Sequence, residues 1–288
     1  MLDKKNKIGY VCETSTLDCH YFNNIFEDGL KYFEYDLQNP EDRDIVFFAD
    51  QDIVKATEPK FDNVKHKIAW LVESPIFYET FFQYKLIVHW VRARKDMFSF
   101  VFTQDKNLVR KYPDVFSYLP VLQSWISKRD RKMYTKNKLC SLASARKVFA
   151  RQYLRFEIAE RFKNIDCMGE AFDGEWFTPN HKPFKDYMYT IVVPNSDIDG
   201  YWDVHLTSPL SCGCVPIWKG SDISSYFNMD GIITFDDMDE LDEIMDFIGE
   251  EDYNSRISAI EDNFNIVNDK YIFAEDMMWE QYLRYLEI

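Results

Sequence analysis

Residues 187–220 read Tyr-Met-Tyr-Thr-Ile-Val-Val-Pro-Asn-Ser-Asp-Ile-Asp-Gly-Tyr-Trp-Asp-Val-His-Leu-Thr-Ser-Pro-Leu-Ser-Cys-Gly-Cys-Val-Pro-Ile-Trp-Lys-Gly. An apolar run, Ile191 to Val193, ends in the turn Pro194-Asn195-Ser196. An amphipathic segment follows, and a second apolar run, Val215 to Trp218, ends at Gly220. A strand, a helix and a strand in 34 residues make one crossover unit of a parallel sheet. Ligands of such sheets bind beyond the carboxyl ends of the strands, where Asn195 and Lys219 fall.

The same alternation extends outward in both directions. Apolar runs at 7–12, 33–36, 44–49, 67–72 and 98–102 predict strands, separated by helical spacing at 21–32 and 77–91. The charged stretch 128–138 is poor in aliphatic residues and reads as a linker. The pattern then restarts with strands at 139–142 and 165–168, a helix at 147–162 between them, and a strand at 232–235. Helices at 238–248, 252–264 and 273–286 close the chain. The expected organisation is an α/β chain with an N-terminal domain (1–127) and a second domain (139–270). A C-terminal helix (271–288) is expected to pack back toward the first domain. Two Rossmann-like doubly wound domains facing a central cleft define the GT-B arrangement.

Composition narrows the function classes. The chain has 288 residues and a net charge of −15. No apolar run is long enough for a membrane span, and the charged start Met-Leu-Asp-Lys-Lys-Asn-Lys does not lead into a signal peptide's apolar core. A cytoplasmic protein with no membrane partner is expected. The six cysteines form no Cys-x-x-Cys pair, and buried thiols are favoured over disulfides or zinc. Charge is uneven: residues 85–138 hold 13 Lys/Arg against four Asp/Glu, a net +9, leaving −24 for the rest. Such a stretch attracts phosphates of a nucleotide sugar or a nucleic acid, or is a solvated helix face with a basic linker.

The quoted stretch resembles the donor-binding half of family 10 glycosyltransferases, the α-1,3/4-fucosyltransferases and their bacterial and viral or phage relatives. Their pattern runs Glu-Asn-Ser/Thr, a spacer, Tyr-x-Thr-Glu-Lys-Leu/Ile, then Gly-x-Val/Ile-Pro-Ile-x-x-Gly. Asn195-Ser196, Tyr201, Leu206, Gly213, Val215-Pro216-Ile217 and Gly220 fall in matching places. Pro194 stands in place of the first Glu, and Val204-His205 in place of the Glu-Lys pair. Glu73-Ser74-Pro75 matches a further family motif. The resemblance implies an inverting transferase using a nucleotide sugar like GDP-fucose, with no cofactor and no essential metal.

Glu73 follows the apolar strand Ile68–Val72, so its carboxylate faces the ligand-binding edge, where apolar neighbours would raise its pKa and suit it to general-base work. The resemblance gives it that role toward the acceptor hydroxyl; the alternative is a helix cap. Ser74, Arg92, Arg94 and Lys95 are candidate acceptor-side residues. Arg151 and Arg155 lie one helical turn apart with no acid one turn from Arg155. The resemblance places an arginine on the donor diphosphate here, Arg155 being best in register, with Arg151 and Arg146 as substitutes; the alternative is a solvated arginine. Asn195, Ser196, Tyr201, His205 and Lys219 complete the donor set, with a helix from about Trp202 aiming its N-terminus at the phosphates. The Asp-x-Asp pairs at 42–44, 50–52, 197–199 and 237–239 are expected coincidences of an acidic chain.

Two other readings keep part of this picture. A phage enzyme could glycosylate a hydroxymethylated base in DNA, using the basic stretch and its interleaved aromatics. A degenerate transferase could serve as a non-catalytic binding module, since the Glu-Lys pair is absent.

Overall fold

The structure is a computed structural model describing residues 6–11, 29–74, 81–120, 124–144, 152–172, 179–269 and 273–286. The chain divides into two compact units. The first comprises Met1–Val121, Ile198–Tyr201 and Phe273–Ile288; the second comprises Leu122–Asp197 and Trp202–Ile272.

The first unit holds six parallel strands: β1 (Asn6–Val11), β2 (Phe33–Asp36), β3 (Ile45–Ala49), β4 (His66–Leu71), β5 (Phe100–Thr103) and β6 (Ser117–Tyr118). They lie in the order β2-β1-β3-β4-β5-β6. β3, Ile-Val-Phe-Phe-Ala, is buried at every position, as a strand covered on both faces must be. Helix α1 (Phe81–Arg92) buries Tyr84, Ile87, Val88 and Val91 in a core with Val46, Phe48, Ala69, Leu71 and Val101. Helix α2 (Lys106–Lys111) starts at Asp105, whose side chain accepts the N–H groups of Asn107 and Leu108.

The second unit repeats the winding. β7 (Lys138–Ala143), β8 (Asp166–Met168), β9 (Tyr187–Val192), β10 (Val215–Trp218) and β11 (Ile233–Thr234) are parallel, in the order β11-β10-β9-β7-β8. Helices α3 (Gln152–Arg161), α4 (Val204–Leu210), α5 (Met238–Phe247), α6 (Glu250–Ser255) and α7 (Ile257–Asp269) accompany them. In each sheet the second strand lies beside the first on one side and the third on the other. The strand order therefore reverses between β1 and β3 and between β7 and β9, the positions where doubly wound sheets bind ligands.

The last described helix, α8 (Ala274–Gln281), belongs to the first unit. Asp276 accepts the N–H groups of Lys31 and Tyr32, at 3.0 and 3.3 Å. Trp279 meets Phe33 edge-on at 5.1 Å, and Tyr282 meets Phe102 at the same distance.

Several expectations need correction. The stretch 128–138 is not a spacer but part of the second unit. Arg131 is buried there, donating to the Ile126 carbonyl at 2.8 Å. Lys136 donates to the carbonyls of Phe184, Lys185 and Cys212, and burial pushes its ammonium below the ordinary lysine range. The expected helix 252–264 is two helices, α6 and α7. The 21–32 helix falls largely outside the described residues. A 3-10 helix over Asp50–Thr57 and the two-residue strand β6 were not foreseen.

Candidate functional site

The carboxyl ends of β7 and β9 are joined by one buried side chain. Arg155, on α3, is 4 % exposed. Its Nε and Nη2 both donate to the Val193 carbonyl, the former at 3.0 Å, and Nη2 also reaches Asn195 Oδ1 at 3.1 Å. Nη1 donates to Ser144 Oγ and Gln152 Oε1, each at 3.2 Å. Gln152 Nε2 closes the ring onto Ser144 Oγ at 2.7 Å. A guanidinium has five N–H groups, and all five are engaged within the chain. Arg155 is therefore not a solvated helix residue. It fixes the loop after β9 and orients Asn195 at the switch point. Arg151 and Arg146 lie outside the described residues.

Beside this network, α4 begins later than the sequence implies. Asp203, buried, is its N-cap and accepts the His205 N–H at 3.0 Å. The same oxygen pairs with His205 Nδ1 at 2.8 Å. Trp125 lies edge-on to the imidazole at 4.7 Å, and its backbone N–H donates to Ser208 Oγ at 2.9 Å. The expected phosphate site at this helix start is thus held by a carboxylate, on a helix of seven residues. Asp203 fixes the ring through Nδ1. Ser196 is buried next to Asn195. Lys219 follows β10, its N–H on the Val192 carbonyl at 2.9 Å and its ammonium 3.6 Å from Asp236. Gly220 lies under the Trp218 ring, where a Cβ would meet a ring carbon at 2.2 Å. Tyr201 is buried and belongs to the first unit, as do Ile198–Gly200.

In the first unit, Glu73 lies just past β4, half-buried. Its backbone N–H donates to Asp50 Oδ1 at 3.0 Å, and that of Val72 to the same oxygen at 2.9 Å. Asp50 is buried with φ at 49°, the left-handed region. Gln104 Nε2 donates to the Val72 carbonyl. Tyr84 OH reaches Asp105 at 3.5 Å, and burial, helped by the Asp105 charge, pushes its phenol far above the usual range. Ser74 is fully buried. The sequence analysis gave Asp50, Gln104 and Gln152 no role in this arrangement; the polar type of Asp50 directly after an apolar strand was the available signal.

Arg92, Arg94 and Lys95 are exposed and fall elsewhere. Arg92 ends α1, and Arg94 and Lys95 lie between it and β5, so all three lie toward the amino ends of the strands, opposite the edge carrying Glu73. The Asp-x-Asp carboxylates take structural positions: Asp52 pairs with Lys55 at 2.9 Å, Asp199 with Arg110 at 2.7 Å, and Asp237 caps α5. Among the described residues no group of three His, Cys, Asp or Glu side chains forms a metal site.

No protein-family model matches the chain, and no curated protein sequence does. Solved structures do match. An α1,3-fucosyltransferase crystallised with GDP-fucose aligns over 95% of this chain and 94% of its own, at 12% identity and a TM-score of 0.56. Anabaena Alr3699/HepE, in complex with UDP and glucose, aligns over 98% of this chain and 100% of its own, at 8% identity and a TM-score of 0.61. TarM aligns over 85% of this chain and 55% of its own, at 10% identity and a TM-score of 0.53. These likenesses, with the two parallel sheets, establish a GT-B type α/β fold.

Proposed function

We propose that this chain is a glycosyltransferase that moves a sugar from a nucleotide-sugar donor to an acceptor hydroxyl. The observation that carries the reading is its near full-length likeness to the GDP-fucose- and UDP-bound structures. The switch point of the second sheet is the donor site in this reading. Asn195, held by Arg155, and Ser196 meet the nucleotide, while His205 Nε2 and Lys219 meet the diphosphate. Arg155 supplies fixed positive charge from behind the loop rather than direct contact.

The chemistry is a single displacement with inversion. Glu73 takes the acceptor O–H proton, the acceptor oxygen bonds to the anomeric carbon, and the bond from that carbon to the diphosphate oxygen breaks. The donor is GDP-fucose-like, and no metal is assigned a step. A glycan is the acceptor we favour over a DNA base, because Arg92, Arg94 and Lys95 lie toward the amino ends of the first sheet's strands, away from Glu73.

The test is a thermal-shift panel of GDP-, UDP- and CMP-sugars on the purified protein. A selective rise in unfolding temperature with one nucleotide is expected, since a ligand that binds only the native state stabilises it. No response to any of them overturns the donor site. Transfer or slow hydrolysis of the responding sugar separates an enzyme from a binding module.

A further inference from the structure

Helix α1 presents a face that sugar transfer does not use. Its sequence, Phe-Phe-Gln-Tyr-Lys-Leu-Ile-Val-His-Trp-Val-Arg, contains no acid, in a chain with 49 Asp/Glu. Tyr84, Ile87, Val88 and Val91 point into the core. Lys85, Leu86, His89 and Arg92 are exposed, and Trp90 is half-buried beside them. Leu86 is 49 % exposed. The chain continues with exposed Arg94 and Lys95.

A second element extends the patch. The Arg92 guanidinium lies 3.7 Å over the Tyr112 ring, which also carries the Lys111 ammonium at 5.4 Å. The Arg94 guanidinium lies 4.6 Å from the Trp90 ring. Five cations, from Lys85 to Lys111, thus share one region. Among the described residues Asp96 and Asp114 are acids close to this region, the latter bonded to Lys95 at 2.6 Å, and Lys85 has an interaction of its own.

We propose that this face of α1 lies flat on an anionic lipid surface. Arg and Lys meet the headgroups while the exposed Leu86 enters the interface, as in helices that rest on a bilayer without crossing it. Charge complementarity favours the face: it belongs to the net +9 stretch 85–138, while the remainder of the chain, at −24, is repelled by the same surface. Trp90 and Tyr112 are already capped by their own cations, so they are poor platforms for stacked bases, which favours lipid over single-stranded nucleic acid.

Flotation of the full chain with vesicles tests this. Binding is expected to phosphatidylcholine vesicles that contain phosphatidylserine, with none to phosphatidylcholine alone, and is expected to fall with added salt. Joint substitution of Arg92→Gln and Arg94→Gln should weaken partitioning about 30-fold, at about fivefold per charge removed. Leu86→Ser should weaken it while leaving its salt dependence unchanged. Both variants alter exposed positions, and unchanged unfolding temperatures show that they fold. No phosphatidylserine-dependent flotation, or flotation undiminished in the Arg92/Arg94 variant, overturns the proposal. So does binding of an oligonucleotide under conditions where vesicles are ignored.

Discussion

Asp50 Oδ1 accepts the backbone N–H of Glu73 at 3.0 Å, and with it that of Val72 at 2.9 Å. One carboxylate therefore sets where the chain leaves β4 and where Glu73 begins. Asp50 does this from a left-handed backbone, which costs a non-glycine residue and is tolerated best by Asn and Asp. Asp50→Asn keeps both the acceptor oxygen and that tolerance, and should cost less than about 1 kcal/mol. Asp50→Ala orphans two backbone N–H groups, and a loss of about 2–4 kcal/mol is expected. Urea unfolding of the two variants checks this; equal stabilities would show that the acceptor does not matter.

Glu73 itself is the sharper test of chemistry. Glu73→Gln keeps the backbone N–H that Asp50 holds, so the fold should be untouched. Loss of a positioned base lowers kcat by roughly 10²–10⁴. Nucleotide-sugar binding, read by thermal shift, should be nearly unchanged. Full turnover in this variant would remove Glu73 from the reaction while leaving the donor site standing.

Arg155 gives the corresponding prediction for the second unit. Lysine retains the charge but has one nitrogen, and cannot reach Val193, Asn195, Ser144 and Gln152 together. Arg155→Lys should cost about 3 kcal/mol through acceptors left unmet. It should also shrink the thermal shift produced by the donor, because Asn195 loses its orientation. A variant as stable and as responsive as the parent would sink the positioning role.

The sequence disclosed most where burial was continuous and least where hydrogen bonds did the ordering. β3, β4, β9 and β10 are apolar runs because parallel strands are covered on both faces, and they were legible for that reason. β6 is Ser-Tyr at a sheet edge, too short to carry a period. The 3-10 helix after β3 reads Asp-Gln-Asp-Ile-Val-Lys-Ala-Thr, and its charges mask its burial. The 128–138 segment looked like a linker because Arg131 and Lys136 are basic; Arg131 is buried and Lys136 half-buried, and both donate to backbone carbonyls outside the segment. Arg155 was identifiable, but its job was not, because its acceptors come from three separate parts of the chain.

Asp203 holds two jobs that mutation can separate. It caps α4 and it pairs with His205 Nδ1. Asp203→Ala should cost about 1 kcal/mol for the cap and also weaken donor binding by freeing the ring. His205→Ala leaves the cap intact, so it should weaken donor binding with little change in stability. Should His205→Ala bind every nucleotide sugar as the parent does, the imidazole has no part in the donor site.

The thiols provide a check on the core of the second unit. Cys140, Cys212 and Cys214 are free and buried. Burial pushes the thiols of Cys212 and Cys214 up to about 12, and Cys140 rises for the same reason. The thiolate is the nucleophile. With an ordinary thiol pKa near 8.5, about 10³-fold less thiolate is present at these sites at about pH 8. Iodoacetamide should therefore leave all three unmodified in the folded protein and label them after denaturation, as read by peptide mass spectrometry. The sign follows from the raised values: the protection weakens as pH climbs toward 12. Rapid labelling of Cys212 or Cys214 in the native state would mean that the loop between α4 and β10 opens, and with it the Lys136 contacts that tie the 128–138 segment down.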